Sequence, residues 1–188
     1  IFKNPDSKNN IEEAKYINSP DTPLYNKSDI LFGLDKAKKT IKERNYCIVV
    51  EGQMDLILSH QMGFTNTVAV SGTAFADSVT DENSKINNLG LIKRLSSNVI
   101  FAFDGDSAGL RAAYRSSMIA LSLDMQVKIA FINGGKDPSD IILEDKDVWK
   151  NIIKDSKDVI SFALQQICEK SSNKEERRRL LEEKVFPF

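Results

Sequence analysis

Four short apolar runs, each followed by a segment of different period, organise the middle of the chain. Cys47-Ile48-Val49-Val50 is apolar throughout and reads as a strand; the helical period that follows, over residues 54–62, stops at Gly63. Asn66-Thr67-Val68-Ala69-Val70 reads as a second strand, leading through Ser71-Gly72-Thr73 to a helix within residues 80–95. A third strand is predicted over 98–103 and a helix over 107–123; a fourth strand over 127–132 runs into the loop at Asn133-Gly134-Gly135. Strands that are apolar on both sides and alternate with helices predict a parallel sheet covered on both faces, an α/β fold.

The flanks differ. Residues 1–28 hold few apolar positions and many turn formers, among them Asn4-Pro5-Asp6 and Asn18-Ser19-Pro20-Asp21, and predict irregular chain. Asp29 is placed as the N-cap of a helix reaching Arg44, with Ile30, Leu34, Ala37 and Ile41 along one stripe. Beyond Ile141 the pattern is helical, over 148–153, 159–168 and 174–184, and is taken as a helical appendage. The chain opens on Ile1-Phe2-Lys3 without an initiator Met and is read as an excised piece.

Composition narrows the class. With 41% apolar and 28% charged residues in 188, the chain has enough to bury for a packed core and is not a disordered or fibrous sequence. No apolar run reaches the roughly 18 residues of a bilayer span, and no signal-peptide core opens the chain. Cys47 and Cys168 stand far apart without a CxxC, so neither a disulfide framework nor a zinc site is encoded, which fits a reducing, cytoplasmic compartment.

The acids change the picture. In an open parallel sheet the carboxyl ends of the strands share one edge, and the loops there form the site. Glu51-Gly52 follows the first strand, Asp104-Gly105-Asp106 the third, and Asp137-Pro138-Ser139-Asp140 the fourth. One Asp-Gly after a strand is an ordinary turn, and Asp106 or Asp140 alone reads as a cap for the helix beside it. Acids at three strand ends on one edge repel one another, and hard divalent cations among them would keep them ionised. Gly52 and Gly105, lacking Cβ, are expected to let the backbone turn sharply and a phosphate come close. The formal charge of −1 divides accordingly: +2 over residues 1–45, −3 over 46–140 and zero over 141–188. The acidic excess lies in the segment expected to hold cations, so a balanced total does not exclude nucleic acid.

Val49-Val50-Glu51-Gly52-Gln53-Met54-Asp55, Phe64-Thr65-Asn66, Ser71-Gly72-Thr73-Ala74 and Phe103-Asp104-Gly105-Asp106-Ser107-Ala108-Gly109 resemble the Toprim module of bacterial DnaG-type primases. Upstream, Lys15-Tyr16-Ile17-Asn18-Ser19-Pro20-Asp21-Thr22-Pro23 with Lys27 resembles the basic segment preceding Toprim in that family. Downstream, Gly135-Lys136-Asp137-Pro138-Ser139-Asp140 resembles its third acidic motif. Toprim also occurs in topoisomerases, small recombination proteins and nucleases; the Asn-Ser-Pro-x-Thr segment selects primase among them. The resemblance implies a Toprim-type, Rossmann-like parallel-sheet core over 46–142. Before it would lie the end of the N-terminal polymerase subdomain (1–45), irregular and basic, and after it a C-terminal helical subdomain (143–188).

The implied activity is synthesis of short RNA primers on single-stranded DNA by two-metal nucleotidyl transfer, a DNA-directed RNA polymerase activity, weak or absent in the piece alone. Glu51, Asp104 and Asp106 match the catalytic acids, and with Asp137 and Asp140 the metal-binding set, for Mg²⁺ or Mn²⁺ and not zinc. Glu51 is either a ligand or the group that handles the hydroxyl proton. The family's next acid falls on Ser139, with Asp140 one residue on, and Gln53 stands where Tyr is frequent. Lys15, Asn18, Lys27, Gly52 and Gly105 match positions holding nucleotide or template. Implied partners are single-stranded template, NTPs and RNA primer, with the replicative helicase and single-strand-binding protein reached through domains outside these residues, at the replication fork in the cytoplasm and away from membranes. The rival readings are a Toprim nuclease or topoisomerase fragment, and a nucleotide-regulated phosphate-binding module. His60, Trp149 and Phe162 read as packing residues, Arg111 and Arg115 as surface contacts, and Arg177-Arg178-Arg179 as a solvated helix face.

Overall fold

Short strands, the first three with buried residues on both sides, are joined by helices in a computed structural model that describes residues 20, 22, 30–70, 88–171 and 173–185. The order is α1 (Leu34–Arg44), β1 (Cys47–Val50), α2 (Gln53–Gln61), β2 (Thr67–Ala69), α3 (Asn88–Lys93), β3 (Asn98–Phe101), α4 (Ser107–Ser122) and β4 (Gln126–Ile129). There follow α5 (Pro138–Glu144), α6 (Lys146–Lys154), β5 (Lys157–Asp158), α7 (Val159–Lys170) and α8 (Lys174–Lys184). The sheet order is β2-β1-β3-β4-β5, parallel except for the antiparallel edge strand β5. This is the expected α/β class.

Residue alternation along the strands splits the core in two. Cys47, Val49, Val99, Phe101, Val127 and Ile129 face one side, where Ala37 and Ile41 of α1, Leu89 and Ile92 of α3, Ala113 of α4 and Phe162 of α7 cover them. Ile48, Val50, Ile100 and Ala102 face the other, under Leu56 of α2, Ile141 of α5 and Trp149 and Ile153 of α6. Each fully buried Val or Ile contributes about 1.5–3 kcal/mol. The helices after Ile142 therefore reach both faces of the sheet, and Trp149 is wholly buried, its ring edge-on to Phe64.

Three elements depart from the sequence pattern. The helix placed from Asp29 begins at Leu34, because Phe32 pairs with Ala69 in an antiparallel bridge and cannot also be helical. Residues 138–144 form a helix that the apolar period is too short to announce. Strand β5 is a polar pair in register with Lys128 and Ile129. Residues 1–19, Asp29 and residues 71–87 lie outside the described residues.

Candidate active site

The sheet order fixes where the acids meet. From β1 the chain moves outward to β2, then crosses back to β3 on the other side of β1, so β1 and β3 form a topological switch point whose crevice opens at their carboxyl ends. Val49 pairs with Phe101, which places Glu51, two residues past Val49, beside the residues that follow Phe101. The backbone N–H of Asp104 donates to Glu51 Oε1 at 3.3 Å. The third acidic loop is tied in by main chain, the Gly105 N–H donating to Lys136 O at 2.9 Å.

Each acid has a distinct local task. Asp106 is the N-cap of α4, its Oδ1 accepting the Gly109 N–H at 2.7 Å. Asp137, not Asp140, caps α5: its Oδ1 accepts from the Asp140 N–H and from Ser139 Oγ, both at 2.7 Å. Pro138 at the first helical position leaves no N–H to satisfy and marks the residue before it as the cap. Asp140 is exposed on the first turn of α5.

Asp55 is the acid whose place the sequence pattern does not disclose. It is 4% exposed, accepts the Gly52 N–H on Oδ2 at 2.9 Å and accepts the Ser139 N–H on Oδ1 at 3.0 Å. One carboxylate thus pins the start of α2 to the start of α5. Its sequence signal is an acid three residues after a helix-capping glycine, the capping-box position.

Crowding sets the electrostatics. Burial raises the Asp104 carboxyl from its ordinary range to about 7, and repulsion from Glu51, Asp55, Asp137 and Asp106 adds to it. Burial likewise raises Glu51, with Asp106 and Asp55 adding and the Asp104 N–H opposing. Asp55 is raised by burial and by Asp137, against its two backbone N–H bonds. Among the described residues Asp104 Oδ1 is buried without a hydrogen-bond partner. Among the described residues no three His, Cys, Asp or Glu side chains are gathered closely enough to hold an ion as they stand. A buried, unpartnered carboxylate oxygen amid like charges is nevertheless chemistry that fits a hard divalent cation.

The glycines serve close approach of protein to protein. A Cβ on Gly105 would stand 2.5 Å from Ile132 O, and one on Gly52 2.6 Å from Asp55 Oδ2. Both glycines sit at bends of the chain, as expected, made without a positive φ, and both are also tightly packed within the acid loops. Gly109 is the tightest: a Cβ there would lie 2.3 Å from Asp104 O and 2.9 Å from Glu51 Oε1.

Other expected residues fall away from this edge. His60 bonds Thr67 O at 2.9 Å, a packing role. Arg111 and Arg115 are exposed on α4, and Arg178 pairs with Glu182 at 3.0 Å on the solvated α8. Lys15, Asn18 and Lys27 lie outside the described residues. Among the described residues no helix is long and apolar enough to cross a membrane.

Residues 45–133 match the family model of the Toprim domain, and residues 7–38 that of the DNA primase catalytic core, N-terminal domain. The chain is 36% identical over 155 residues to a DNA primase of Campylobacter jejuni, an alignment covering 82% of this chain and 24% of that protein. The crystal structure of the zinc-binding and RNA polymerase domains of Aquifex aeolicus primase is similar with a TM-score of 0.75 at 31% identity, covering 94% of this chain and 41% of that one. A DnaG primase catalytic domain bound to ssDNA has a TM-score of 0.69 at 28% identity, over 92% of this chain and 55% of that one. The chain thus spans about a quarter of the length of the curated relative it matches.

Proposed function

The chain belongs to the DnaG-type DNA primase family, and from that premise we propose that it carries the nucleotidyl-transfer site of an enzyme that makes RNA primers on single-stranded DNA. The observation that supports this most is the gathering of Glu51, Asp106 and Asp137 near Asp104, whose Oδ1 is buried and, among the described residues, without a hydrogen-bond partner, at the carboxyl ends of the neighbouring strands β1 and β3.

In this reading Asp104, Asp106 and Glu51 hold Mg²⁺ or Mn²⁺, with Asp137 and Asp140 on the neighbouring loop. A divalent cation bound there supplies positive charge to a triphosphate and to the pyrophosphate that leaves it. Glu51 has Oε1 engaged by the Asp104 N–H. Its second oxygen serves as ligand or takes the proton of the attacking hydroxyl, a task suited to a carboxyl raised by burial. Asp55 holds the first and third acid loops in register. Lys15, Asn18 and Lys27, within the segment matched to the N-terminal domain of the primase core, hold nucleotide or template, the two lysines neutralising phosphate charge.

The substrates are NTPs, a single-stranded DNA template and the growing RNA primer, in the cytoplasm at the replication fork, with helicase and single-strand-binding protein as partners of the longer polypeptide. The topoisomerase alternative requires a nucleophilic tyrosine near the acids. Of the described tyrosines, Tyr114 packs on Phe162 with its hydroxyl raised to about 12 by burial, a poor nucleophile, and Tyr46 precedes β1 at the opposite edge.

The test is template-directed ribonucleotide incorporation by a primase polypeptide carrying this core. Asp104→Ala is expected to lower the rate by about 10²-fold or more with the fold retained by circular dichroism. Unchanged synthesis would refute the assignment.

A further inference from the structure

The amino edge of the sheet carries a second concave surface, opposite in place and in charge to the acid loops. It is a groove of about 580 Å³ between the starts of β1, β3 and β4 and the second half of α6. Its floor is formed by Tyr46, Phe64, Ile100 and Ile153, and its rim by Lys128, Lys150 and Lys154, with no acid among its lining residues.

Two features of the sequence build it. Strand β4 alternates, Val127 and Ile129 buried and Gln126 and Lys128 exposed, where a strand covered on both faces would be apolar throughout. Lys128 stands opposite Ile100 in the register, on the face that α6 covers with Trp149 and Ile153, so the helix leaves that face open to water at β4. On α6, Lys146, Lys150 and Lys154 recur every four residues and form one ridge beside the groove. Like charges one turn apart repel, which costs the helix stability unless an anion is drawn to them. Lys36, Lys39, Lys93 and Lys136 each pair with a carboxylate, whereas among the described residues none of Lys128, Lys146, Lys150 or Lys154 does, although Asp147 and Asp155 lie on or next to the same helix.

We infer that this amino-edge groove is a docking surface for single-stranded nucleic acid, distinct from the carboxylate site. The row of lysines matches a row of phosphates. The half-buried rings of Tyr46 and Phe64 offer stacking surfaces to unpaired bases, and the exposed amide of Gln126 offers a hydrogen-bonding edge. A groove of this size takes one or two nucleosides. The inference does not depend on what the acids do, since it uses none of them.

The test is fluorescence anisotropy of a dye-labelled oligothymidylate titrated with this chain over a range of salt concentrations. A variant carrying Lys128→Gln, Lys150→Gln and Lys154→Gln is expected to bind at least about tenfold more weakly, with a log–log salt slope shallower by about 2, from about 0.7 per lost phosphate contact. The same triple variant is expected to keep the rise in melting temperature on adding Mg²⁺ at pH 8, which reads the acid loops alone, so failure of the nucleotidyl-transfer reading and failure of this one give different results. A second measurement needs no variant: amine acylation of the wild-type chain followed by mass spectrometry, with Lys128, Lys150 and Lys154 expected to be protected by oligothymidylate. Unchanged affinity and salt slope in the triple variant, equal acylation with and without oligonucleotide, or no binding by the wild type would each overturn the proposal. So would lysine-dependent binding of an acidic peptide by a chain that ignores oligothymidylate, which would make the groove a protein-docking site.

Discussion

Asp104 is held near neutrality by its surroundings. Its carboxyl titrates near 3.9 in an unfolded chain and is raised to about 7 here by burial and four neighbouring acids, so the folded protein binds that proton more tightly than the unfolded one. Its contribution to stability is therefore full below about pH 4 and is lost as the pH rises through 7; Glu51 and Asp55, also raised, act in the same direction. In EDTA the melting temperature of the chain is expected to fall over this interval. Asp104→Asn should flatten that fall and stabilise the protein at pH 8 by about 1–2 kcal/mol, after allowance for solvent screening. Adding Mg²⁺ at pH 8 should raise the melting temperature of the wild type and not of Asp104→Asn. A melting temperature independent of pH would contradict the crowding. The acids themselves are plain in the sequence, but their mutual repulsion is not, because it depends on residues more than 50 positions apart lying side by side.

At the scale of elements, the acid loops are fixed by backbone more than by side chains. Gly109 lets the first turn of α4 rest against the Asp104 carbonyl and Glu51. Gly109→Ala is expected to cost about 1–3 kcal/mol by overpacking and to depress nucleotidyl transfer by shifting Asp104, measured by urea denaturation alongside the incorporation assay. Asp55→Ala leaves two N–H groups without their acceptor at the junction of α2 and α5 and is expected to cost about 1–3 kcal/mol. Strands β1 to β4 are legible in the sequence because each is a short run of residues buried on one or both sides. The start of α1 is not, because Phe32 is committed to Ala69 across the sheet edge. The cap of α5 is legible once Pro138 is read as the first helical residue. Strand β5 is not legible at all, since Lys157 and Asp158 have no strand preference and are extended only by pairing with β4.

For the whole molecule, the segment after Ile142 packs on both faces of the sheet, Trp149 and Ile153 on one and Val159 and Phe162 on the other. We expect a chain ending at Ile142 to lose cooperative thermal unfolding and Trp149→Ala to cost about 3–5 kcal/mol, both read by circular dichroism melts. A sharp melt in the shortened chain would show that 143–188 stands apart energetically. The near-zero total charge is also a property of the whole: carboxylates crowd one edge of the sheet, and lysines with no carboxylate partner among the described residues line the other, so the sum conceals two fields of opposite sign. The sequence alone determined the alternation of strand and helix, the acids at three strand ends and the family motifs, because local period, turn chemistry and motif spacing are written residue by residue. Only the tertiary structure decided that β1 and β3 lie side by side, that Asp55 joins two acid loops and that α6 leaves Lys128 uncovered. Those are consequences of strand order and helix placement, which non-local packing selects and no local pattern encodes.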